Sequence, residues 1–112
     1  MKFMLMIYED DAKRVEKMDE WMPNCSAYAQ AMMKAGIYVC GDRLRGVTTA
    51  TTVSVRDGKA HVVDGPYAEA KEQLGGFHII DVPDLDSALT WAARCPSASR
   101  GRVEVRPVWP LA

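Results

Sequence analysis

A chain of 112 residues is the size of a single domain, here spanning 1–112. With 48% hydrophobic and 26% charged residues, it is neither a disordered tail, a collagen-like fibre nor a disulfide-dense scaffold. Fourteen basic residues against fifteen acidic ones leave a net charge of -1, so nothing in the balance draws the chain to nucleic acid or to an anionic membrane.

The chain opens on a short apolar run, Lys2 to Tyr8, which predicts a strand. Both of its faces are apolar, Phe3/Leu5/Ile7 on one and Met4/Met6/Tyr8 on the other, a pattern that suits a sheet covered on two sides. Asp10 to Glu20 is charged and predicts a short helix or helical turn. Met18, Trp21, Met22, Cys25, Tyr28, Ala29, Met32 and Gly36 then recur at helical spacing. Pro23 either lies in the first turn of that helix or kinks it, and Gly36 is its stop. At this spacing the methionines read as core filler.

Val39 to Thr49 reads as a loop, with glycines at 41 and 46. Thr51 to Arg56 and Lys59 to Val63 flank Asp57-Gly58, the turn pair of a tight hairpin, because both turn positions need positive φ. Pro66 and Gly75 bracket a short helix or ordered loop over Tyr67 to Leu74. Phe77 to Val82 is a further strand. Asp84 caps a helix with the stripe Leu85, Ala88, Leu89, Ala92 and Cys95, which Pro96 ends. Ser97 to Arg102 reads as a surface turn, and Val103 to Val108 is the last strand.

Cys25, Cys40 and Cys95 are odd in number and form no C-x-x-C, so they read as small buried hydrophobes in a reducing compartment. The acidic Glu9-Asp10-Asp11 after a short apolar start does not fit a signal peptide, and no segment approaches the roughly 20 apolar residues of a membrane span. The expectation is a cytoplasmic protein.

The order β-α-β-β-(short α)-β-α-β predicts an α+β, ferredoxin-like sandwich: a mainly antiparallel sheet with helices on one face. The uncovered face would still carry Met4, Met6 and Ile80 or their register mates. Apolar area there gains about 25 cal/mol per Å2 on burial, which favours a homodimer packed sheet against sheet.

The run Asp64-Gly65-Pro66-Tyr67-Ala68-Glu69-Ala70-Lys71-Glu72-Gln73-Leu74-Gly75-Gly76-Phe77 resembles the signature of the DGPF (DGPFAETKE) branch of the YCII-related proteins, with Tyr for Phe at 67 and Ala for Thr at 70. The resemblance extends to the opening KFMLMIY, Ala35-Gly36, Ala50-Thr51-Thr52-Val53, Ala92-Ala93-Arg94-Cys95-Pro96 and the closing Val103 to Trp109. It implies a dimeric α+β barrel of ferredoxin-like protomers. Related YCII-like proteins include an enzyme acting on chlorinated ring-cleavage lactones or hydroquinones, with a His-Asp pair as proposed active site. The family histidine lies on the first helix; residues 17–33 hold none here. Members of the DGPF branch are often encoded beside alternative sigma factors.

The two histidines are His61, placed near the hairpin turn in solvent, and His78. If Phe77 and Ile79 pack under the helices, His78 faces the dimer cleft, where a neutral imidazole is either a general base or a hydrogen-bonded structural group. Asp64 either caps its Gly-Pro turn or orients His78 or a substrate. Tyr8, Arg106 and Glu69 complete the candidate binding groups, although Arg106 could instead pair with Glu104 and Glu69 could belong to a solvated helix face. No metal, cofactor, phosphate-loop or serine-nucleophile motif is present. The sequence therefore points to a small-molecule-binding protein or enzyme using a polar cleft between the sheets of a homodimer. The alternative is a non-catalytic regulatory partner of another protein, such as an alternative sigma factor.

Overall fold

The computed structural model describes residues 1–111. Its elements are β1 (Lys2–Asp10), α1 (Asp11–Glu16), α2 (Met18–Lys34), β2 (Tyr38–Arg43), β3 (Thr51–Arg56), β4 (Lys59–Asp64), β5 (Glu72–Asp81), α3 (Leu85–Arg94) and β6 (Arg102–Pro107). Single 3-10 turns occupy Val47–Thr49 and Pro96–Ser99. Four strands form a sheet in the order β2-β5-β1-β6, every pairing antiparallel, and β3-β4 form a separate two-stranded ribbon.

The alternation in β1 decides where the core lies. Phe3, Leu5 and Ile7 are buried beneath Tyr28 and Met32 of α2 and Ala88 and Ala92 of α3, so both long helices cover the same face. Val103, Val105 and Ile80 complete that layer from the neighbouring strands. Met4, Met6 and Tyr8 point the other way and stay half-buried, beside Ile79 and Phe77 across the β1–β5 ladder. The Cα envelope measures 46 × 42 × 18 Å, a thickness that fits one sheet and one helix layer but no third.

Several expectations are corrected. The stretch read as a loop over Val39 to Thr49 begins with the edge strand β2, which lacks an apolar alternation and is held by pairing with β5 alone. No helix forms over Tyr67 to Leu74. The Gln73 side-chain amide donates to the carbonyls of Ala68 (2.7 Å) and Ala70 (2.8 Å), tying down an irregular segment. Strand β5 then starts at Glu72, opposite Asp10, well ahead of the predicted Phe77. Helix α2 starts at Met18 and carries Pro23 inside it, at an exposed position. The turn after α3 is not wholly at the surface, since Ser97 is buried.

The hairpin forms as predicted, with Asp57 and Gly58 at φ of 51° and 75°. It stands apart from the body, however. Val53, Val55, Val62 and Val63 are all more than 60% exposed. The Cα radius of gyration is 15.7 Å, against roughly 13 Å for a compact chain of this length, and the projecting ribbon accounts for the excess.

Candidate functional site

His78 lies under the helices, so the condition that would turn it to a dimer cleft, Phe77 and Ile79 packing there, is not met. It pairs with Leu5 in the β1–β5 ladder, two residues from the fully buried Ile80, so it projects under the helices while Phe77 and Ile79 take the open face. The sequence leaves this choice of face open for a simple reason. Both faces of β5 are apolar in sequence, and a one-residue choice of phase reverses every side chain.

Under α2, His78 helps line a cavity of about 220 Å3, room for about seven waters at roughly 30 Å3 each. Trp21, Met18, Met22 and Tyr28 of α2 supply an apolar roof, and Tyr38, Gly41 and Gly76 line the sheet side. The His78 ring meets Tyr28 and Tyr38 edge-on, at centroid distances of 5.7 and 5.9 Å. Burial pushes its pKa below the ordinary 6.5, because a desolvated imidazolium is disfavoured and no carboxylate compensates it. The ring is therefore neutral at pH 7. Its Nδ1 is buried without a hydrogen-bond partner, packed over Gly41, where a Cβ would come within 2.5 Å. Nε2 is thus the nitrogen open to chemistry.

Two further groups, Glu9 and Arg14, were not singled out as site residues by sequence reasoning. Glu9 continues the buried phase of Phe3, Leu5 and Ile7, and its carboxylate is 95% buried. It accepts from the Ser97 hydroxyl (2.9 Å) and from Arg100 Nε (2.9 Å), and the Arg100 guanidinium lies 4.0 Å from the centre of the Trp21 ring. The alternation of β1 held this signal: a carboxylate in a buried phase requires a cationic partner. Arg14 on α1 is equally enclosed, 5% exposed, and reaches Asp11 at 3.4 Å and the Arg45 carbonyl at 3.5 Å, both long contacts. Its Nε has no acceptor. Gly75, the extra residue of a β-bulge in β5, makes room for it, since a Cβ there would lie 2.6 Å from Nε.

Tyr28 anchors the roof by donating its hydroxyl to the Trp91 carbonyl at 2.7 Å, and burial raises its pKa far above the usual phenol value. Cys95 and Cys25 also line the cavity. Burial raises the Cys95 thiol, which keeps it protonated at neutral pH. Among the described residues no group of three His, Cys, Asp or Glu side chains comes together to hold a metal ion.

The other sequence candidates do not join His78. Tyr8 lies on the open sheet face. Arg106 lies there too, in a loose, exposed pair with Glu104 at 3.7 Å. Asp64 ends β4 in the projecting ribbon, and Glu69 is exposed in the segment before β5. None of the four lines the cavity.

The site thus belongs to an α+β protein whose helix-covered sheet face carries a small aromatic cavity with one neutral imidazole. The YCII-related domain model matches residues 1–112, and the chain belongs to the YCII-related family. It is 37% identical over 114 residues to an uncharacterised protein from Rhizobium meliloti (strain 1021), a match covering 96% of this chain and 92% of that relative. No helix among the described residues is long and apolar enough to cross a membrane.

Proposed function

We propose that this protein binds a small organic molecule in the cavity between α2 and the sheet, with His78 as its central polar group. The observation that carries the reading is His78 itself: a neutral, largely desolvated imidazole without a protein partner, held by two tyrosine rings at the wall of a cavity. Nδ1 is sealed against Gly41, whereas Nε2 has no protein partner, and a polar atom left unmet at a cavity wall favours a ligand. If the bound molecule is turned over, His78 is the general base, being unprotonated at neutral pH. Saturation-transfer NMR with a library of small fragments tests the reading. Hits should bind the wild type and fail on Ala29→Trp, which fills the cavity from α2. Fragments that bind both proteins equally would place them elsewhere.

We also propose that the protein works as a homodimer of ferredoxin-like protomers joined through their open sheet faces. Met4, Met6, Phe77 and Ile79 form a contiguous apolar surface there, and the thin envelope leaves it without cover. The run from Asp64 to Phe77 supports placement in the DGPF branch of the family. Three free thiols suit a reducing cytoplasm. Analytical ultracentrifugation at micromolar concentration should return a dimer, and a monomer would refute the assembly.

A further inference from the structure

We infer that the ligand of this cavity is a small organic anion, a carboxylate with an apolar body, and that Arg14 is its anchor. The inference rests on the cavity being a binding site and adds the class of molecule that occupies it.

The charges around the cavity are unevenly committed. Glu9 is spent: each of its oxygens already accepts a hydrogen bond, from Ser97 and from Arg100. Arg100 is in turn held between Glu9 and the Trp21 ring. Asp42 and Arg43 are exposed at the rim, where water solvates their charges. Arg14 is the exception. It is 95% buried, its best contact to Asp11 is 3.4 Å long, and Asp11 also accepts from the Val47 amide at 3.0 Å. Arg14 Nε has no acceptor, yet the residue lines the cavity. Nε is sealed against Gly75 and Nη2 makes the two long contacts, so Nη1, which has no partner, is the donor left to meet a carboxylate. The remaining lining near it, Met18, Trp21 and Met22, is apolar and suits a hydrocarbon or aromatic body. A neutral ligand would leave the buried Arg14 charge balanced only by its long contact to Asp11, and a cation would face an arginine.

The test is a titration of the full chain with benzoate, phenylacetate and pentanoate, each beside its neutral primary amide, at constant ionic strength. The Trp21 indole N–H signal in 15N-resolved NMR reports occupancy. At least one acid should bind saturably and shift that signal, about 10- to 100-fold more tightly than its amide, the value of a hydrogen bond to a charged group. Arg14→Gln should remove the preference while Arg14→Lys keeps part of it. The acid–amide comparison in the wild type stands whether or not the variants fold. Amides binding as well as acids would overturn the anion assignment and leave the cavity a binding site. Absence of binding by all six, together with absence of any fragment hit that Ala29→Trp abolishes, would overturn both readings.

Discussion

The two faces of the four-stranded sheet are built from the same strands and differ in what they can do. On the covered face, Phe3, Leu5, Ile7 and Ile80 seal against helices, and the layer turns polar toward one end, where Glu9, Arg14 and His78 gather. On the open face, Met4, Met6, Phe77 and Ile79 are apolar and half-buried, with the charged Glu104 and Arg106 on the neighbouring edge strand. The difference underlies the proposal above: a desolvated, shaped pocket with a few polar groups suits ligand binding, whereas an apolar plane suits association.

Substitutions on either face break this comparison in different ways. Leu5→Ala, at a fully buried position, should cost about 2–5 kcal/mol in urea unfolding. Such a loss is the largest expected from any single change considered. On the other face, Phe77→Glu should leave the protomer folded and raise the dimer dissociation constant at least about 30-fold, the equivalent of roughly 2 kcal/mol, as followed by ultracentrifugation. Comparable destabilisation of the folded protomer by both changes would erase the distinction.

The pH response sharpens it. The His78 pKa is lowered in the folded protein, so below the unfolded value near 6.5 the unfolded chain binds the extra proton first. The contribution of His78 to stability is therefore full above about pH 6.5 and declines as pH falls through the folded pKa. His78→Phe should flatten that part of the stability profile, and the wild-type imidazole should titrate below 6.5 in NMR. The smallest effect belongs to the ribbon: Val62→Thr, at a position 64% exposed, should change protomer stability by under about 0.5 kcal/mol. A larger loss in the dimer alone would show that the ribbon is buried against the second copy.

Much of this architecture was legible in the sequence because local rules suffice. Asp57-Gly58 demanded a turn with two positive φ angles, Asp84 capped α3 by accepting from the Ser87 amide, and the apolar run of β1 read as a strand. The edge strand β2 was not legible, since Tyr38 to Arg43 has no apolar alternation and gains its conformation from β5. The phase of β5 could not be read from β5 itself, with Phe77/Ile79 and Ile80 competing for the core. Glu9 was a sign that went unread, a carboxylate in the buried phase of β1. Arg14 gave a weaker one, its spacing from Asp11 allowing an ion pair without revealing that Gly75 encloses it.

If the covered face alone holds the ligand, assembly and binding are separable. The most direct measurement is fragment binding to the monomeric Phe77→Glu protein, followed at the Trp21 indole signal, using fragments that bind the wild type. Dissociation constants should stay within about threefold of wild type, a difference of roughly 0.7 kcal/mol. Loss of binding by the folded monomer would contradict this separation, placing the site between two chains rather than beneath α2.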